Sequence, residues 1–265
     1  MPKLQYIKDY LLNAKIRETL SKVANDVDSL IPQSEAEFDD VQKFGLYPAE
    51  QCQPFVTRQG TPFYQLDNMS LVPKNDTANY LKYGDFEFRQ LEILYNMARM
   101  DSVEAHHWLR DNLFQACRVD ARKKNEYKAK FRGKERADWK EIQVEWMKYC
   151  LMLKYRCNAL FRNDLYACVG KLPVEDATAT NYASNLFWGA GLVEFDGKKF
   201  YFGCNVLGKL LAQLRDNNGV LDYKLPDDMH LFGKPILKYR TDSHSRQVRK
   251  NYYLYECKII HIIQT

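Results

Sequence analysis

Asn185-Leu186-Phe187-Trp188-Gly189, followed sixteen residues later by Asn205-Val206-Leu207-Gly208-Lys209-Leu210-Leu211, is the stretch on which the reading of this chain turns. It puts an aromatic ridge, closely spaced glycines and a polar helix start in one short segment. Asn205 is a suitable N-cap, and Val206, Leu207, Leu210, Leu211 and Leu214 then recur as the buried stripe of a helix. Trp188 stands between Asn185 and the glycines Gly189 and Gly191. An indole there can form the hard side of a slot for a planar group, since glycine lets backbone approach closely on the other side. Ordinary core packing of a Phe-Trp pair reads equally well at this stage.

Upstream, Asp138 and Glu141 form a capping-box pattern that opens a long, mostly apolar helix from Trp139 to about Phe161. Helices are also expected from about Phe86 to Met100 and from Val103 to about Cys117. Pro62 to Met69 reads as a short strand running into a turn, where Asp67 and Asn68 can bond back to their own backbone. Residues 3–31 read as one helix, with Leu4, Ile7, Leu11, Leu12, Ile16, Leu20, Val23 and Val27 at helical spacing and Pro32 as the stop. The acidic, proline-interrupted stretch to about residue 62 lacks a period and reads as loops over the body. Beyond Gly219 the aromatic and β-branched runs Ile236–Tyr239 and Tyr252–Ile263 read as extended. The expected fold class is therefore α+β, mainly helical, with short strands and a β-containing C-terminal extension. Its boundaries fall at 1–61, 62–218 and 219–265.

With 265 residues the chain can bury a full core. A formal charge of +5 hides an asymmetry. Residues 26–50 carry seven acidic side chains and one lysine, residues 118–140 ten basic against four acidic, and residues 234–258 seven basic against two acidic. Such blocks suit phosphate or a polyanion, and solvated helix faces produce them too. The 18 tyrosines supply flat faces with a polar tip. Seven cysteines without a Cys-x-x-Cys pair, no secretory leader and no apolar span point to a reducing, cytoplasmic setting and no membrane.

Glu92 shares a helix face with Tyr95, Asn96 and Arg99. A carboxylate shielded by apolar neighbours can act as general acid or base; the same stripe can equally face solvent around an internal ion pair. Lys154 lies in an apolar helix, where a desolvated amine becomes nucleophilic, or where its stem merely covers apolar surface. Gly203, Asn205 and Gly208 straddle a helix start whose free N–H groups can hold a phosphate. No Gly-x-x-x-x-Gly-Lys-Ser/Thr and no Gly-x-Gly-x-x-Gly after a strand is present. His106-His107 are wrongly spaced for joint coordination, no zinc-type cluster occurs and no Gly-x-Ser-x-Gly elbow exists. Neither a metal nor a cofactor is expected.

Taken in order, these pieces resemble the NADAR family from about Phe63 to Arg215. Leu66-Asp67-Asn68-Met69 is similar to its Leu-Ser-Asn-Phe segment, and Leu91-Glu92-Ile93 through Arg99 to its Val-Glu-His helix. Arg136-Ala137-Asp138-Trp139 resembles its Arg-Pro-Asp-Trp opening, and Met147 with Lys154-Tyr155 its Met…Lys-Phe helix. Phe187-Trp188-Gly189 with Asn205-x-Leu207-Gly208-Lys209-Leu210-Leu211 is close to its final signature. The chain departs at three places: Asn185 stands where Asp is common, Ile93 where His follows the glutamate, and Arg99 where a lysine ends the helix.

The resemblance implies action on an N-glycosidic bond of ribose. Glu92 would handle protons at the anomeric centre, and Lys154 would attack ring-opened ribose as a Schiff-base amine. Trp188 and Tyr95 would bracket the base. Asn68, Asn185 and Asn205 would bind ribose hydroxyls or phosphate, with Arg99, Gly189 and Lys209 completing the substrate site. The basic regions favour ADP-ribosylated nucleic acid, chiefly DNA modified at guanine, as in antitoxin or phage counter-defence systems. The alternatives are a phosphoribosylated riboflavin-pathway intermediate and a noncatalytic ADP-ribose or nucleic-acid binding module.

Overall fold

The computed structural model describes residues 2–113, 126–127, 129–178 and 185–236. Helix-forming runs supply most of the architecture and short strands hold it together. The N-terminal helical stretch is broken in two: α1 spans Pro2–Leu11 and α2 Ala14–Leu20. Asn13 causes the break, its side-chain oxygen accepting from the backbone N–H groups of Lys15 and Ile16. This local cap outweighs the continuous helical spacing that suggested one helix.

The segment expected to be loops contributes two strands, β1 (Gly45–Pro48) and β2 (Cys52–Phe55). β1 pairs antiparallel with β7 (Lys198–Gly203), and β7 with β6 (Gly191–Phe195), giving a three-stranded sheet in the order β1-β7-β6. β2 pairs parallel with β5 (Leu172–Glu175), so that Phe55 lies opposite Glu175. Strands this short are too brief to display a period. Tyr6, Tyr10 and Phe44 all close on Phe202 of β7 with ring centroids 4.6–5.5 Å apart, which packs α1 against the sheet.

The expected strand near Tyr64 is instead a single 3-10 turn, Tyr64–Leu66. The turn after it forms as read, with Met69 N donating to Asp67 Oδ1 at 2.6 Å. β3 (Leu81–Tyr83) and β4 (Phe86–Phe88) form a hairpin, so the following helix, α3, is confined to Leu91–Ala98. α4 covers Val103–Leu113. α5 (Trp139–Cys157) begins where read, but Asp138 makes no capping bond. Its carboxylate is taken by the guanidinium of Arg136 at 2.9 and 3.0 Å. α5 ends early because Asn158 caps a separate helix, α6 (Ala159–Ala167), accepting from Phe161 N.

α7 is one turn, Asn185–Trp188, and α8 spans Val206–Asp216 with its whole apolar stripe buried. A two-residue hairpin, β8 (His230–Leu231) with β9 (Lys234–Pro235), ends the described part. The result is an α+β, mainly helical fold with short strands. Beyond Ile236, both extended C-terminal runs lie outside the described residues. No helix among the described residues is long and apolar enough to cross a membrane.

Candidate active site

Several chain segments meet around one cavity of about 170 Å³. The first is the turn at residues 67–69. Asp67 is buried; its Oδ2 accepts from Thr57 Oγ1 at 2.5 Å and its Oδ1 from the Met69 amide. Asn68 reaches Met147 Sδ through Nδ2 at 3.5 Å, while its Oδ1 is buried without a hydrogen-bond partner. Thr57, Asp67, Asn68, Met69 and Met147 all line the cavity.

The second segment is α3. Its first turn is fastened to the turn at 67–69, since Glu92 N donates to Asn68 O at 3.0 Å. Glu92 sits in that first turn, where the helix dipole favours a carboxylate, and Oε1 accepts from Asn96 Nδ2 at 2.8 Å. Tyr95, one turn on, is largely buried and its hydroxyl donates to Gln143 Oε1 at 3.4 Å. Burial raises its pKa well above the usual phenol range, with the Glu92 charge adding to the effect. Glu92 and Tyr95 both face the cavity. Ile93, where the resemblance has histidine, is buried in the core.

The third part of the wall comes from β5, α7 and α8. Asn185, Trp188 and Leu207 line the cavity, and so does Glu175 at the end of β5. Trp188 stands edge-on to Tyr95, which in turn contacts Trp139 at 5.1 Å. Glu175 is the strongly perturbed carboxyl of the wall. Burial, reinforced by the charges of Asp67 and Glu92, pushes its carboxyl from an ordinary 4.5 up to about 8. Sequence reading gave Glu175 and Thr57 no role, Leu207 one only in the helix stripe and final signature, and Asp67 one only in the turn of the entry segment. A lone carboxylate ending a four-residue strand gives no periodic signal.

The remaining expected site residues lie elsewhere. Lys154 is buried beneath the turn, and Nζ donates to Gln65 O at 2.6 Å, Asp67 O at 2.8 Å and Ser70 Oγ at 3.0 Å. Burial lowers it to about 7, and Asp67 and Asp164 partly oppose that shift. Lys209 is buried against the N-terminal segment, donating to the carbonyls of Asp40 and Lys43. Arg99 pairs with Glu135 at 3.0 Å on a half-exposed surface. Asn205 is fully buried in a left-handed conformation and donates through Nδ2 to Pro173 O at 2.9 Å. None of these four is among the cavity-lining residues.

The glycines serve chain packing. A Cβ on Gly189 would run into the carbonyl of Glu175, and one on Gly208 into the carbonyl of Pro173. The helix start at Asn205 is thereby packed closely against β5. Among the described residues, no three His, Cys, Asp or Glu side chains are arranged to hold a metal ion.

Residues 54–217 match the NADAR domain, a span that contains every cavity-lining residue named above. The chain belongs to the NADAR family. It is also similar to the E. coli protein YbiA, solved by NMR, at 19% identity, covering 63% of this chain and 86% of that one with a TM-score of 0.42. No curated protein matches this NADAR chain.

Proposed function

We propose that this NADAR protein is an N-glycosidase that releases ADP-ribose from guanine bases in nucleic acid. The observation that carries the reading is the shared cavity of Glu92 and Trp188, a carboxylate and an indole brought together from distant parts of the chain. The bond to be broken joins an anomeric carbon to nitrogen. Hydrolysis there needs a base to take a proton from the attacking water and a surface to hold a flat leaving group. Glu92 is assigned the first task, Trp188 and Tyr95 the second.

Asn68 and Asn185 are assigned to ribose hydroxyls. The unpartnered Asn68 Oδ1 supports this, because a buried acceptor without a donor is costly until a ligand supplies one. The wall offers acceptors in Asp67, Glu92 and Asn68 Oδ1. That suits the donors of a guanine amine and of sugar hydroxyls. No lysine or arginine lines the cavity among the described residues, so the phosphates of the substrate are assigned to its outside. Lys154 is assigned to holding the turn at 67–70, since its ammonium is committed to three acceptors there.

The basic block at 118–140 and the net charge of +5 favour a nucleic-acid substrate over a free metabolite. The test is mass-spectrometric turnover of a single-stranded oligonucleotide carrying ADP-ribosylated guanine, beside a phosphoribosylated amine of the riboflavin-precursor type. Release of ADP-ribose from the oligonucleotide is expected. Turnover of the small amine alone would overturn the substrate assignment, and binding without turnover of either would overturn the enzymatic one.

A further inference from the structure

We infer that Glu175 is the proton donor to the departing nitrogen, so that this cavity works with two carboxyls in opposite roles. The inference rests on the N-glycosidase reading above and adds the residue which that reading lacks.

Breaking a carbon–nitrogen bond to an uncharged base expels a strongly basic nitrogen unless a proton reaches it as the bond opens. Few groups on the cavity wall can supply that proton. The Thr57 hydroxyl is given to Asp67, and the Tyr95 hydroxyl to Gln143. Asp67 has both side-chain oxygens engaged as acceptors, one from the Thr57 hydroxyl and one from the Met69 amide. Glu92 accepts from Asn96 and is already assigned as base. Glu175 is left. The titratable groups that share the cavity with it are Asp67 from the turn and Glu92 and Tyr95 from α3, with no cation among the described lining residues to draw its proton away. Burial and the two neighbouring carboxylates keep it protonated at neutral pH. Two carboxyls in one site with environments that push them apart is the arrangement that separates an acid from a base.

Its backbone is held from two sides. Phe55 lies opposite it in the β2–β5 ladder, and Ala190 N donates to its carbonyl at 2.9 Å. A donor on a rigid strand end keeps its position when the substrate enters.

In the step, the Glu175 proton passes to the leaving nitrogen while the C1′–N bond breaks and its electron pair goes to nitrogen. Water oxygen bonds to C1′ and gives its proton to the Glu92 carboxylate. ADP-ribose leaves, the guanine stays unmodified in its strand, and Glu175 is now ionised and Glu92 protonated. Proton exchange with solvent restores both.

The experiment compares wild type, Glu175→Gln and Glu92→Gln on two probes. One is an oligonucleotide bearing ADP-ribosylated guanine. The other is a ribosyl pyridinium, whose nitrogen leaves neutral and needs no proton. Glu175→Gln should lose about 100-fold or more on the first and remain near wild type on the second. Its kcat/KM should also lack the alkaline limb expected of wild type near pH 8. Equal losses on both probes, or wild-type turnover of the oligonucleotide, would overturn the inference. Glu92→Gln should fail on both probes; if it keeps full activity, or if wild type turns over neither, the N-glycosidase reading itself falls. Gln is close in shape to Glu and removes a repulsion, and thermal midpoints of all three proteins confirm that each is folded.

Discussion

Tyr95 and Trp188 meet edge to face, with ring centroids 5.7 Å apart and planes at 85°. Tyr95 is anchored by α3, and Trp188 by a one-turn helix wedged in place by Phe187, itself edge-on to the indole at 5.3 Å. The pair forms the flat part of the cavity wall. Replacing Trp188 by Ala removes both the edge contact and the stacking face, which is worth about 1–3 kcal/mol for a base on an aromatic side chain. KM should rise by that amount while kcat falls less. Steady-state kinetics on the modified oligonucleotide checks this. A change confined to kcat would move Trp188 out of the binding surface.

Gly189 fits where it does because nothing larger can pass the carbonyl of Glu175. A methyl group at this position forces the α7 turn away from β5. Gly189→Ala should destabilise the protein by about 1–3 kcal/mol through overpacking. It should also lower turnover, since Glu175 and Trp188 are displaced together. Urea denaturation and kinetics on the same sample check both effects. A fully stable, fully active variant would show that the close approach at Gly189 is not needed.

Lys154→Met tests the buried amine. The substitution leaves the carbonyls of Gln65 and Asp67 and the hydroxyl of Ser70 without this donor. The expected cost is about 2–4 kcal/mol, the loss of buried polar partners offset in part by no longer desolvating an ammonium. Borohydride added during turnover should trap no sugar on Lys154. A trapped adduct whose mass maps to this lysine would give it back the nucleophilic role that the family resemblance implies.

The account of Glu175 fixes a pH dependence of stability. Its folded-state pKa, about 8, lies above the ordinary 4.5. Between those values the folded protein therefore holds more protons at this site than the unfolded chain, and stability falls as pH rises through the window. Glu175→Gln abolishes that penalty. Its stability advantage over wild type should be absent near pH 4.5, grow with pH and level off above 8. Urea midpoints of both proteins across this range read the difference directly, since every other group titrates in both. An advantage independent of pH would mean that Glu175 is not held protonated.

Part of this was written plainly in the sequence. The stripe from Val206 to Leu214 specifies α8, and the family resemblance read from about Phe63 to Arg215 falls within the matched span 54–217. Glu92, Tyr95, Asn68, Asn185 and Trp188, expected from the sequence to share a site, all line one cavity. Lys209, Asn205 and Gly189 stand in the same motif but hold strands and the N-terminal segment, a distinction that depends on which way each side chain points. Asn13 breaks an otherwise continuous helical pattern because a side-chain cap competes locally with periodicity. Glu175 stayed hidden because its character comes first from burial and then from Asp67 and Glu92, neighbours in space that are remote in sequence.

The most direct measurement is single-turnover release of ADP-ribose from guanine-modified single-stranded DNA by wild type and Glu92→Gln, with binding of the same DNA followed in parallel. Loss of about 100-fold to 10,000-fold in the rate with binding retained is the expected result for a removed general base. Unchanged release by Glu92→Gln would contradict the account.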